Sequence, residues 1–249
     1  MIPKAIVFDL DQTLAESKQP LSPSMAEVLG QLLTHTNVAI ASGGALPQFT
    51  SQVVEKLPAD AHLEHLYLLP TSGAALFEFR HDTWEKVYEE RLPEGEALRI
   101  EEVVRKVVED TGVVDLSTPA HGERIEDRGS QVSFSALGQK APIDEKKAWD
   151  PDKSKRQTLR DALQAALPEY SVAMGGSTTI DITQKHINKA FGVKQLAKHL
   201  GISIPDMLYV GDELEEGGND AVVIPTGIPT RTVANPEETE SWLRTLLAS

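Results

Sequence analysis

The 249-residue chain carries 38 acidic against 24 basic side chains, a formal net charge of −14, with 40% hydrophobic residues and zero cysteines. That negative excess repels a phosphate backbone, so no nucleic-acid partner is expected, and the lack of cysteine rules out disulfides, thiolate metal sites and cysteine catalysis. The length suits one long domain or two coupled ones around a real core; with no signal-peptide pattern and no apolar run near the roughly 20 residues of a membrane helix, a soluble cytoplasmic protein away from membranes is expected.

In chain order, Ala5–Phe8 is the first short apolar run of the kind buried on both faces of a parallel sheet. Ser22 and Pro23 supply a cap and a preorganised first position for a helix whose apolar face is Met25, Val28, Leu29, Leu32 and Leu33. Val38–Ala41 and Leu66–Leu69 read as further buried strands. From about Trp84 to Thr183 the pattern changes, because "SQVSFSAL" and "TTIDIT" alternate polar and apolar residues, as strands with one buried and one wet face do. Two helices accompany them, one bearing Ile100, Val103, Val104, Val107 and Val108, the other Leu159, Leu163, Ala166 and Leu167. The charged stretch "QKAPIDEKKAWDPDKSKR" between them predicts a mobile loop leading into a helix. Lys189–Leu200 has helical spacing and stops at Gly201, Met207–Val210 and Val222–Ile224 read as strands, and Asn235-Pro236-Glu237-Glu238 opens a last helix. The expected fold is α/β: a doubly wound, Rossmann-like parallel-sheet core formed by residues 1–83 and 185–249, with an inserted α+β cap domain over 84–184 that contains an antiparallel sheet.

The stretch "AIVFDLDQTLA" places Asp9 where the first strand should end, and extended alternation sends Asp9 and Asp11 the same way. Ligands gather at such strand ends in open parallel sheets, and two close carboxylates need a cation or a proton between them. On spacing alone the pair is equally compatible with a turn. "YVGDELEEGGND" again ends an apolar strand in an acid, Asp212, and goes on to Asn219 and Asp220, so a third carboxylate would complete an oxygen-rich site for Mg²⁺. "AIASGG" offers the Ser42 hydroxyl and the close backbone of Gly43 to an anion, and Lys189 would neutralise a phosphate. Taken singly, Ser42 reads as well as a helix cap, and Lys189 as a solvated head group. The seven histidines form no metal pattern, and the three tryptophans read as packing residues.

These residues, in this order, resemble the motifs of the haloacid dehalogenase superfamily of phosphate-transferring enzymes: "DLDQT" its DxDxT motif, "SGG" its Ser/Thr motif, Lys189 its lysine, and "GDELEEGGND" its acidic last motif. The insertion is similar to the C2-type cap of class IIB members, and the spacing from Gly211 to Asp220 is that of eukaryotic-type phosphomannomutases. Within the cap, "DRGSQVSFSALGQ" and "GGSTTID" resemble the phosphosugar-holding segments of those mutases. The resemblance implies Asp9 as nucleophile, Asp11 as general acid/base, and Mg²⁺ held by Asp9, the Asp11 carbonyl and Asp212. Ser42, Gly43 and Lys189 then hold phosphate, and Thr13, Asn219 and Asp220 support the centre from behind. In the cap it implies Arg128, Gln131, Ser133, Gln139, Thr179 and Asp181 as substrate contacts, although alternating polar residues are also what a solvated face presents.

Three departures stand out. Gln139 replaces an arginine of the mutase cap, Gln12 replaces the usual glycine after the second aspartate, and "AVVIPTGIPT" does not reproduce the mutase's loop after Asp220. A mutase must hold a sugar with phosphate at either end, whereas hydrolysis needs phosphate only at the core. The expected function is therefore a Mg²⁺-dependent phosphatase acting on a small phosphorylated molecule such as a sugar phosphate, as a monomer or homodimer. The alternatives are a phosphomannomutase-like isomerase and a non-catalytic sugar-phosphate-binding protein.

Overall fold

β1 (Ala5–Asp9) is buried at every residue, as the apolar run Ala5–Phe8 requires of all but its terminal aspartate. It pairs in parallel with β2 (Asn37–Ala41) on one side and β10 (Met207–Gly211) on the other. β3 (Leu66–Leu69) extends the parallel ladder beyond β2, and β11 (Thr230–Thr232) extends it beyond β10. β4 (Ala75–Arg80) and β5 (Thr83–Glu89) then add antiparallel, giving seven strands in the order β11-β10-β1-β2-β3-β4-β5. Alternation along β1 sends Ile6 and Phe8 to one layer, with α1 (Pro23–Leu33) and α8 (Pro236–Leu247), and Ala5 and Val7 to the other, with α7 (Lys189–Leu200). The core is thus doubly wound. The computed structural model describes residues 2–248, and among these no helix is long and apolar enough to cross a membrane.

The chain divides into two compact units, Met1–Glu89 with Asn188–Ser249, and Glu90–Ile187. The first division lies six residues beyond the expected end of the core at 83, because β5 pairs with β4 from Ala75↔Glu89 to Arg80↔Thr83 and so belongs to the large sheet. Val222–Ile224 is not a strand. It lies in a 3₁₀ segment, Ala221–Thr226, where Pro225 lacks an amide proton and Val223 donates back to the Asp220 carbonyl at 3.0 Å.

The second unit is a four-stranded antiparallel sheet in the order β6 (Ile125–Asp127), β7 (Gln131–Ser135), β9 (Thr179–Gln184), β8 (Tyr170–Met174). Its apolar face, Val132, Phe134, Ile180 and Ile182, packs with α4 (Glu96–Thr111) and α6 (Ser154–Ala166). The polar face is not wet as alternation predicts: Gln131, Ser133, Ser135, Thr179, Asp181 and Thr183 are all buried. Nor is 139–156 simply a loop, for it contains α5 (Ile143–Trp149) and a buried ion pair. Asp150 caps α6 by accepting from the amides of Lys155 (2.9 Å) and Arg156 (3.1 Å), and it also takes Arg156 Nε at 2.8 Å.

Removing one partner of such a pair strands a buried charge. Asp150→Ala is expected to lower stability by about 3–5 kcal/mol in urea denaturation, and Asp150→Ala/Arg156→Met to lower it less. A double variant that loses more than the single would refute this account of the segment.

Candidate active site

Register places the site. Phe8 lies opposite Ile40 on β2 and Val210 on β10, so Asp9, Ser42 and Asp212 all fall at the carboxyl ends of adjacent parallel strands. Strand order reverses between β1 and β10, the switch point where open α/β sheets leave a crevice. Into it α7 delivers its first residue: Asn188 caps the helix by accepting from the Phe191 amide, and Lys189 follows directly.

The Lys189 ammonium is buried and donates to Asp9 Oδ1 (2.6 Å), Asn219 Oδ1 (2.6 Å) and Asp220 Oδ1 (2.7 Å). Asp220 Oδ1 also accepts from the Tyr209 hydroxyl at 2.6 Å, and its Oδ2 from the Glu213 amide at 3.2 Å. Asn219 is steadied by its Nδ2, which donates to Glu213 Oε2 at 2.8 Å, and Thr13 Oγ1 donates to Asp212 Oδ1 at 3.3 Å.

Burial works against the Lys189 charge, yet Asp220 and Asp9 more than offset it and hold its pKa well above the ordinary lysine value. Burial likewise pushes Asp9 well above the usual carboxylate range; Lys189 pulls it back, while Asp220, Asp212 and Asp11 push with burial. Asp212 is raised to about 7, first by burial and then by Asp220 and Glu213. Beside burial, the crowding of like charges contributes. Asp9, Asp212 and Asp220 bring ligand oxygens within 4.8 Å of one another and face one ammonium. The surplus of two negative charges and the all-oxygen donor set fit a hard divalent cation. Beside the Asp9 and Asp212 carboxylates expected from sequence, this group includes that of Asp220, while the Asp11 carboxylate accepts from the Lys18 amide at 2.7 Å.

Asp11 and Gln12 form a tight turn in which the Gln12 amide donates to the Ala15 carbonyl at 2.7 Å. Gln12 has φ +65°, a conformation in which glycine is at ease and glutamine is strained. Ser42 opens the loop after β2; its Oγ accepts from the Gly44 amide at 3.2 Å, with Gly43 between them. In the second unit, Ser133 and Asp181 face each other across β7 and β9, and Ser133 Oγ donates to Asp181 Oδ1 at 2.7 Å. Gln131 and Thr179 lie on the same polar face by register. Arg128 pairs with Glu126, Nη2 to Oε2 at 2.6 Å, and its Nη1 is 4.0 Å from Asp181. Gln139 follows the turn after β7, and its backbone amide donates to the Glu123 carbonyl at 3.0 Å.

A family model described as haloacid dehalogenase-like hydrolase matches residues 6–220. The chain belongs to that family. This haloacid dehalogenase-like chain is 24% identical to a probable phosphomannomutase of Caenorhabditis elegans, over 97% of this chain and 94% of that one. It is 25% identical to a phosphomannomutase of Encephalitozoon cuniculi, covering 94% and 89% respectively. Among solved structures, an IMP-bound Plasmodium falciparum IMP-nucleotidase superposes with a TM-score of 0.69 at 16% identity, over 99% of this chain and 68% of that one. The C-terminal domain of Candida albicans trehalose-6-phosphate phosphatase does so with 0.67 at 15%, over 98% and 92%. Both share the fold. Family and relatives together make this haloacid dehalogenase-like protein a phosphoryl-transfer enzyme.

Sequence reasoning missed Tyr209 and Glu213. Tyr209 reads as one more apolar strand residue, and only its place beside "GD" hints at a polar partner. Two outcomes follow from the geometry. Because Asp212 binds its proton more tightly folded than unfolded, it makes stability fall as pH rises from about 4 to about 7. A divalent cation, which needs the deprotonated carboxylate, is therefore expected to raise Tm more at about pH 8 than at about pH 5.5, a difference that Asp212→Asn should diminish. Equal shifts at both pH values would contradict it. Gln12→Gly should stabilise by about 1 kcal/mol in urea denaturation through relief of the left-handed strain; a loss of stability would mean that the glutamine side chain offsets its own strain.

Proposed function

We propose that this enzyme is a Mg²⁺-dependent phosphatase that cleaves a sugar phosphate, or a similar small phosphoester, through an aspartyl-phosphate on Asp9. The observation that carries the reading is the Lys189 ammonium, 2.6 Å from Asp9 at the mouth of a three-carboxylate group. Asp9, Asp212 and the Asp11 carbonyl would hold the cation, with Asp220 as counter-ion to Lys189. When bound, Mg²⁺ supplies charge that lets an anionic nucleophile and an anionic phosphate approach and that stabilises the transition state.

The protein's own groups account for the remaining steps. Asp9 attacks phosphorus as the bond to the leaving oxygen breaks, and Asp11 gives that oxygen a proton. Asp11 then takes a proton from water, whose oxygen bonds to phosphorus while the Asp9–phosphorus bond breaks and inorganic phosphate leaves. Ser42, the Gly43 backbone and Lys189 hold the other phosphate oxygens, Lys189 exchanging its bond to Asp9 for one to phosphate. Thr13, by its bond to Asp212, and Asn219, by its bond to Lys189, keep both groups aimed.

Hydrolysis is favoured over isomerisation because Arg128 is already neutralised by Glu126 and approached by Asp181, and Gln139 stands at the other arginine position. Little cationic charge is then left there for a second phosphate. The phosphomannomutase relatives, matched along nearly their whole length, favour the second reading, a phosphosugar mutase using the same Asp9.

A time course with Mg²⁺ and the 1- and 6-phosphates of mannose and glucose, following free phosphate and sugar-phosphate isomers together, separates the two. Phosphate is expected from the wild type, and Asp9→Asn is expected to lower kcat by on the order of 10³-fold or more. Isomer without phosphate would replace this reading with the mutase. Turnover unaffected by Asp9→Asn would overturn both.

A further inference from the structure

Three successive residues after β3, Thr71, Ser72 and Gly73, have left-handed backbones with φ of 50°, 59° and 86°. Glycine adopts this region freely, but a β-branched threonine there is a genuine outlier, held only when its surroundings over-determine it. On one side, the Thr71 amide donates to the Gly44 carbonyl at 2.9 Å and the Ser72 amide to the Ser42 carbonyl at 2.8 Å. These bonds turn two carbonyls of the Ser42–Gly44 loop towards the turn. On the other side, a Cβ built on Gly73 would lie 2.9 Å from Gly192 Cα and 3.2 Å from the Asn188 carbonyl oxygen, so the turn packs directly on the first turns of α7. The Tyr88 hydroxyl donates to the Gly73 carbonyl at 2.8 Å, and the Tyr88 ring packs edge-on against Phe191 of α7.

We infer that Thr71–Gly73 is a positioning turn that fixes the spacing between Ser42 and Lys189, so that the two meet the same phosphate. The inference rests on the reading of Ser42 and Lys189 as phosphate holders. Ser42 is tied to the turn by hydrogen bonds, and Lys189 by the close approach of two glycines, so neither group can shift without moving the turn. The left-handed strain is the cost of reversing the chain in so few residues between these contacts.

The test is Gly192→Ala. Alanine is the better helix former, but its Cβ would stand 3.1 Å from Gly73 Cα and press the helix away from the turn. Tyr88→Phe removes the hydroxyl anchor without adding bulk and serves where the alanine variant does not fold. Calorimetric titration with inorganic phosphate in the presence of Mg²⁺ is expected to show binding weakened about tenfold by Gly192→Ala and about threefold by Tyr88→Phe. In kinetics the change should fall mainly on KM rather than kcat. Wild-type phosphate affinity in both variants, with only the melting temperature lowered, would overturn the inference and leave the site reading intact. A wild-type protein that binds no phosphate would overturn both.

Discussion

An ammonium buried among carboxylates governs this protein. Taken out of water, the Lys189 charge survives because Asp9 and Asp220 lie 2.6 and 2.7 Å away, and those carboxylates tolerate burial because the ammonium is there. Each group is supplied by a different element: Asp9 by the end of β1, Lys189 by the start of α7, Asp220 by the loop after β10. The pairing therefore holds strand ends and helix start in one arrangement. Burial first, and then the nearby Asp220 and Glu213, keep the Asp212 proton bound up to about pH 7, and the three clustered carboxylates fit a divalent cation.

The rest of the first unit serves that arrangement. The strands β10, β1 and β2 are buried on both faces and run in parallel, so their carboxyl ends converge where strand order reverses. Tyr209 takes a share of Asp220, leaving the ammonium to divide itself between Asp9 and Asp220. In the second unit the same economy appears in another form, with Arg156 answered by Asp150 and Arg128 by Glu126.

Much of this was legible in the chain, for a physical reason. A strand buried on both faces must be an apolar run, so a carboxylate at its end stands out; Asp9 and Asp212 do so, and Lys189 stands out as the first residue of a capped, glycine-terminated helix. Other features have no such contrast. Thr71 and Ser72 adopt left-handed backbones that their residue types do not announce, and Tyr209 looks like any core aromatic until its hydroxyl is seen on Asp220. The hairpin of β4 and β5 alternates like the second sheet, so only pairing reveals that it belongs to the first. Val222–Ile224 has strand composition, but the turn set by Asp220 and Pro225 overrides it. The polar face of β7 and β9 was visible as a pattern, and its burial was not, because alternation distinguishes faces without saying what covers them.

The central claim is that Asp9 becomes covalently phosphorylated. The most direct test is to quench the enzyme with acid during turnover of a hexose phosphate in Mg²⁺ and to locate the phosphoryl group by peptide mass spectrometry. The account predicts a hydroxylamine-sensitive phosphoryl group on the peptide bearing Asp9 and Asp11, assigned to Asp9 and absent from Asp9→Asn. Turnover with the phosphoryl group on another residue, or a fully active Asp9→Asn enzyme, would contradict it.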